Sequence, residues 1–271
     1  MKIFSKILVI VFCAFALGPL LWHVVSSLKT ASEVAQIPPT LIPHEPTLSN
    51  YAELFRRRPF PVYLLNSLIV ASMSSVLCVI AGSLAGYRLA RARPRVRSIA
   101  SSLLLVLAFF PTIVFLLPLY ELVRLFGLIN QAWGLIIPYA ALNLPLSVWL
   151  LTGYFQRIPI ELEEAAVMDG FTPLQTFFKI ILPLATPALA TATILAFIAA
   201  WNEFMLALTF MNADASKTVT IGVATLSGAF VYQIPFGLIA AGVVVSSAPL
   251  VLLVALFQKK IVSGLAAGSV K

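Results

Sequence analysis

Six stretches of this 271-residue chain each run for about 20 residues with almost no charge, long enough to cross the hydrocarbon core of a bilayer as a helix. Inside lipid the backbone polar groups must be satisfied within the segment itself, so such runs fold as helices. The expected spans are Ile7 to Ser27, Leu64 to Tyr87, Ala100 to Tyr120, Ala132 to Tyr154, Leu182 to Phe204 and Pro235 to Phe257. Composition agrees. Hydrophobic residues make up 61% of the chain, charged ones 10%, and the mean hydropathy is +1.01, so hydrocarbon has to be the main solvent. Each Arg or Lys at a helix centre costs about 2.5 to 3.5 kcal/mol on insertion scales, which confines charge to the span ends. The expected fold class is an all-α integral membrane protein, one domain over residues 1–271 with six transmembrane helices.

The basic residues set the orientation. Lys2 and Lys6 precede the first span, Arg88, Arg91, Arg93, Arg95 and Arg97 fill the second-to-third connection, and Lys259, Lys260 and Lys271 follow the last span. With Arg157 and Lys179 these are 12 of the 18 Lys and Arg. The positive-inside rule then predicts both termini in the cytosol, together with the loop between the fourth and fifth spans. Four of the six exceptions, Lys29 and Arg56 to Arg58, share one long external segment. The same distribution explains the net charge of +8, which suits anionic lipid head groups, and no basic stripe interleaved with aromatics points to nucleic acid.

Several features have plain readings. The opening MKIFSK and apolar run superficially fit a secretory signal, but the run continues through Leu20, Leu21, Trp22, Val24 and Val25, longer than a signal's apolar region, which predicts a retained span. Cys13 and Cys78 fall in different spans without a CxxC or a His partner and read as small buried apolar residues. Gly82 and Gly86 form a GxxxG that suits close helix packing. Pro111, Pro118, Pro138, Pro145, Pro183 and Pro187 lie in or beside spans, where neighbouring groups can satisfy the freed backbone. The external segment of about 35 residues between the first two spans is dense in proline and is no single regular element; within it Thr47 to Phe55 predicts a short helix, with Tyr51, Leu54 and Phe55 on one face.

The polar loop at 155–183 is the most distinctive stretch, reading ELEEAAVMDGFTPLQTFFKIILP from Glu161 to Pro183. Pro159 followed by Glu161, Glu163 and Glu164 predicts a helix start, since negative charge favours the positive helix end. Gly170 allows a turn. Thr172 with Gln175 predicts a capping box, with Pro173 at the first position of a second helix.

Glu164, Ala165, Ala166, then Asp169 and Gly170, then Ile180, Leu182 and Pro183 resemble the EAA loop of permease subunits of bacterial ABC importers. SSLKT after the first span, NYAELF, NSLIVA at the second span, GLIN at Gly127 to Asn130, and WNEF at Trp201 to Phe204 look like the carbohydrate-uptake branch, in particular the smaller maltose-type permease subunit. The resemblance implies that Glu164, Ala165, Ala166, Met168, Asp169, Gly170 and Phe171 contact an ATPase, and that Asn66, Trp201, Asn202 and Glu203 are candidates for the substrate path. For Glu203 two readings stay open, a residue at a helix end and a polar position near the path. Also implied are a second permease subunit, two ATP-binding ATPase subunits and an extracytoplasmic substrate-binding protein. ATP and Mg are then held by the ATPase partner, and this chain binds no cofactor of its own.

Absences fit that division of labour. The sequence holds no GxxxxGK[ST], HExxH or GxSxG, so neither ATP hydrolysis nor an enzyme activity of its own is expected. The rival is an ion-coupled secondary transporter of small polar solutes, yet such carriers usually bury ionisable groups near the midplane. Here only Glu203 comes near, close to a span end.

Overall fold

The computed structural model describes residues 2–226 and 234–269, with side chains at 6–226 and 234–258. The side chains of Lys2, Lys259, Lys260 and Lys271, used above for orientation, lie outside these. Among the described residues the chain forms helices and no strand. In order they are α1 (Lys2–Ser27), α2 (Ala31–Val34), α3 (Ser49–Arg57), α4 (Phe60–Ala90), α5 (Pro94–Ala108), α6 (Leu116–Leu125) and α7 (Trp133–Phe155). After them come α8 (Glu161–Met168), α9 (Pro173–Thr176), α10 (Leu182–Leu184), α11 (Thr186–Asn202), α12 (Met205–Phe210), α13 (Val219–Ala224) and α14 (Phe236–Ser269). A 3-10 turn, Thr112–Phe115, leads into α6, and a π turn, Phe177–Ile181, joins α9 to α10.

Four of the six expected spans are single helices long and apolar enough to cross a membrane: Lys6–Ser27, Phe60–Ala90, Trp133–Phe155 and Phe236–Gln258. The other two are broken. The third turns through 85° between Pro94–Ala108 and Thr112–Leu125, and the fifth through 77° between Pro173–Leu184 and Thr186–Asn202. In the third the break falls between α5 and the 3-10 turn, at Phe109 to Pro111. Pro111 has no N–H to continue the ladder and disfavours α geometry at Phe110. In the fifth the bend falls at Ala185, just before the Thr186-Pro187 pair. Pro187 cannot donate back to Pro183, and the Thr186 hydroxyl takes that carbonyl at 2.6 Å. Pro138 and Pro145, by contrast, sit inside the unbroken α7.

The chain divides into two compact units, Met1–Leu65 with Lys217–Leu253, and Asn66–Ser216 with Val254–Lys271. In the first, Asn50 at the start of α3 is buried and donates its amide to Ser27 O at 2.9 Å and Lys29 O at 2.8 Å. It thereby satisfies the last carbonyl of α1 and one in the turn that follows it. The loop beyond α1 is knotted by two buried charges. Lys29 donates to Thr40 O and lies over the Trp22 ring at 5.0 Å, while Glu33 accepts from the Thr40 hydroxyl at 2.7 Å and the His44 amide at 3.0 Å. Helix α3 follows the expected segment closely, with Leu54 buried and Phe55 45% exposed while its ring meets Phe60 edge-on at 6.3 Å.

In the second unit α7 packs against α5 and α11 and meets α4 at Gly82 and Gly86. Lipid supplies no hydrophobic drive for helix association, so close van der Waals contact has to hold the pair. A Cβ at Gly86 would stand 3.2 Å from Leu151 Cβ and 3.2 Å from Thr152 N. Gly82 likewise faces Ser147 at 3.3 Å. The GxxxG is a packing surface, and Cys78 meets the Ser147 hydroxyl at 3.1 Å beside it. Toward the 155–183 loop this packing becomes an aromatic and aliphatic cluster in which Leu151, Phe155, Phe177, Ile181 and Ala185 are buried.

Candidate functional site

Within the 155–183 loop, α8 carries Glu161, Glu163 and Glu164 in its first turn and ends at Asp169. Gly170 follows with φ +81°. Its amide donates to Val167 O at 3.0 Å and the Phe171 amide to Ala166 O at 2.9 Å, the paired bonds of a Schellman helix end. A Cβ at Gly170 would meet nothing within 4 Å, so it is the left-handed backbone, not the space for a Cβ, that requires glycine there. The capping box forms as expected: the Gln175 amide donates to Thr172 Oγ1 at 3.3 Å, and the Thr172 amide to Gln175 Oε1 at 2.9 Å. Lys179 Nζ lies 5.5 Å over the Phe171 ring.

Helix α8 has two faces. Ala166 is 2% exposed and Glu163 points the same way, as their spacing of three requires. The opposite face carries Glu164, Ala165 and Met168, all exposed, Met168 at 87%, and Val167 at the edge between the faces is 62% exposed. Leu174 and Phe178 extend this exposed apolar surface past the turn. An apolar surface rimmed by carboxylates marks an interaction site more often than a solvated loop.

Glu163, which sequence reasoning placed only in the helix start, is the anchor of the inner face. Arg91, just past the end of α4, approaches Glu163 Oε1 with Nη2 at 2.6 Å and donates Nε to it at 2.7 Å. The same guanidinium donates to Phe155 O at 3.1 Å and Ile158 O at 3.0 Å. Tyr87 donates its hydroxyl to Glu163 Oε2 at 2.8 Å, and its ring packs on Phe155 and Phe177. Arg91 and Glu163 are 72 positions apart, and no local pattern connects them. The basic cluster after the second span was the one available signal.

The four substrate-path candidates are spread over different settings. Trp201 is 4% exposed and stacks on Phe197 at 5.6 Å. Asn202 is exposed, its amide donating to Ile198 O at 2.9 Å. Glu203 lies in the bend between α11 and α12, where Oε1 accepts from the Leu206 amide at 2.9 Å and Oε2 from the Ala207 amide at 3.1 Å and the Tyr139 hydroxyl at 2.5 Å. Three donors on one carboxylate make it the cap that joins α12 to α7. Asn66 donates to Ala215 O at 2.8 Å and lines a cavity of about 210 Å³ with Asn130, Ala213 and Ser216.

Asn130 organises that cavity; the sequence marked it only as part of GLIN and not as a site residue. Its φ is +61°, and its Oδ1 accepts from the Asn212 amide at 2.6 Å, the Ala213 amide at 2.9 Å and the Ser216 hydroxyl at 3.0 Å. The signal was present in GLIN, since Gly127, φ +66°, and Asn130 are the residue types that accept left-handed backbone. No group of three or more His, Cys, Asp or Glu able to hold a metal occurs among the described residues.

Residues 78–266 match the family of binding-protein-dependent transport system inner membrane components. The chain belongs to that family. It is 40% identical to the sulfoquinovosyl glycerol transport system permease protein SmoH of Agrobacterium fabrum, over 94% of this chain and 89% of that one. It is also 40% identical to the trehalose transport system permease protein SugB of Mycobacterium tuberculosis, over 95% and 93%. The trehalose/maltose transport system permease protein MalG of Thermococcus litoralis is 39% identical over 99% of this chain and 95% of its own length. The fold matches a chain of a bacterial ABC transporter involved in the import of the acidic polysaccharide alginate, with a TM-score of 0.79, 24% identity and 95% of each chain covered. The chain is thus an ABC importer permease, an inner-membrane transport component and not a catalytic enzyme, and the ion-coupled carrier reading falls away.

Proposed function

We propose that this permease carries a sugar or sugar-like solute inward, pairing with a second, related permease to enclose the pathway. Two ATPase subunits, holding ATP and Mg, dock from the cytosol, and an extracytoplasmic binding protein delivers the solute. The relatives named for sulfoquinovosyl glycerol, trehalose and maltose support the substrate class. The basic residues that precede the first span and follow the second support cytosolic termini and a cytosolic 155–183 loop. On this reading the whole of 1–271 works as one permease domain.

The observation that carries the proposal is the two-faced helix α8. Its inner face is tied down through Glu163 and Ala166, while Glu164, Ala165, Val167 and Met168 stand outward beside Asp169 and the Gly170 turn that aims Phe171. Such a helix fits a groove on an ATPase, with Glu164 meeting a basic side chain there. ATP binding closes the ATPase pair, carries the coupling helices with it, and turns the permeases from inward-facing to outward-facing. ATP drives this only because it binds the closed state better, since equal affinity for both states shifts nothing. In the path, Asn66 on α4 and the exposed Asn202 are the polar side chains proposed to meet a solute, with Trp201 and Glu203 holding the α11 end that presents Asn202.

The test is uptake of trehalose, maltose and a sulfoquinovosyl glycoside into proteoliposomes holding the complete complex. Accumulation of one of them that stops when ATP or the binding protein is omitted is expected. Uptake by this chain alone, driven by an ion gradient, would contradict the proposal.

A further inference from the structure

The coupling reading leaves a mechanical question: how a displacement of an eight-residue surface helix reaches the spans. The covalent path from α8 leads back through Pro159 and Ile160 to α7, and forward through the Gly170 turn to the bent α10 and α11. Neither path leads to α4. The Arg91 guanidinium adds a direct polar connection to the α4–α7 packing, because its fork holds Phe155 O at the end of α7, Ile158 O in the turn that follows, and α8 through the Glu163 carboxylate, while its own amide donates to Tyr87 O of α4 at 3.3 Å.

We propose that Arg91, Glu163 and Tyr87 form a latch that passes movement of α8 to the end of α4, and that Arg91 and Glu163 are positioning residues for the transport cycle. Three features support a link that moves as a unit rather than a surface ion pair. The Arg91 and Glu163 side chains are only 19% and 16% exposed, so water and salt screen them little. A guanidinium is planar with fixed donor directions, and here it serves a carboxylate and two carbonyls at once, a geometry a lysine ammonium cannot reproduce. Tyr87 adds a second hydrogen bond to the other carboxylate oxygen, and its ring packs on both Phe155 at 5.8 Å and Phe177 at 5.0 Å. The latch therefore also touches the π turn that follows the coupling segment. Glu163 and Glu164, adjacent in sequence, divide the work: one holds the permease, the other faces outward.

This inference rests on the docking of α8 to an ATPase, and hydrogen exchange separates the two. The complete complex in nanodiscs is measured without nucleotide and after trapping with ATP and vanadate. In the wild type, trapping should change amide exchange both in residues 161–168 and in residues 84–92. With Glu163→Gln, the change at 161–168 should persist while the response at 84–92 is lost, and Arg91→Lys should behave alike. Tyr87→Phe, which keeps the ring contacts and removes only one hydrogen bond, should show the same split to a smaller degree and covers the case in which a charge variant fails to assemble. A response at 84–92 equal to wild type in Glu163→Gln, or in Tyr87→Phe where that is the variant that assembles, would overturn the latch. Absence of any wild-type response at 161–168 would instead count against the docking reading itself.

Discussion

At Glu203 one carboxylate closes the amide ends of α12 and receives the Tyr139 hydroxyl. Glu203→Gln keeps the shape but turns one acceptor oxygen into an NH2 donor facing donors already in place. Loss of a charge-assisted cap costs about 1 to 2 kcal/mol. The expected outcome is a lower unfolding temperature of the purified complex with an unchanged KM for uptake; a changed KM at unchanged stability would return Glu203 to the solute path. Glu33 makes a separate residue-scale prediction. The Thr40 hydroxyl, with help from the His44 amide and charge and from Lys29, holds its carboxyl below the ordinary value of 4.5 against the opposing effect of burial. A group with a lowered folded pKa contributes stability above its unfolded pKa and loses it as pH falls through the folded one. Amides of the 40–47 segment should therefore exchange faster as pH drops below about 4.5 after correction for intrinsic rates, and Glu33→Gln should remove that acid step. The same corrected exchange at every pH would contradict the assignment.

Among the elements, the 155–183 loop was the most legible part of the chain because its signals are local. Glu-rich first turn, Gly170 and the Thr172 to Gln175 box all act within a few residues, and the structure holds each of them. The breaks in the third and fifth spans were not legible, because proline alone does not decide them. Pro138 and Pro145 leave α7 intact, whereas Pro111 and Pro187 accompany bends of 85° and 77°. What differs is whether surrounding groups re-satisfy the backbone, and that is a tertiary fact. Glu163 was illegible for the same reason, since its partner lies 72 residues away. Element geometry also yields a sharp variant. Gly170→Val forces a β-branched residue into left-handed backbone, costing roughly 1 to 2 kcal/mol or more, with open space around its Cβ. The expected outcome is normal membrane abundance with loss of ATP-driven uptake. Full uptake would show that the turn need not keep its present angle.

For the whole molecule, orientation and coupling have to agree, because a 155–183 loop on the outer side could not meet an ATPase. With native Cys13 and Cys78 replaced, a cysteine at Arg93 should resist a membrane-impermeant thiol reagent in intact cells, and one at Glu45 should react. The reverse pattern would invert the topology and remove α8 from any cytosolic partner. The central claim is that the outward face of α8 docks the ATPase, and it is tested most directly by the affinity of the ATPase subunit for the permease pair in nanodiscs. Truncating one partner of a desolvated charge pair costs roughly 2 to 5 kcal/mol, so Glu164→Ala should weaken that affinity on the order of 30-fold or more. A Leu104→Ala change within α5 should leave it unaltered. An affinity for Glu164→Ala equal to wild type, with uptake intact, would contradict the account.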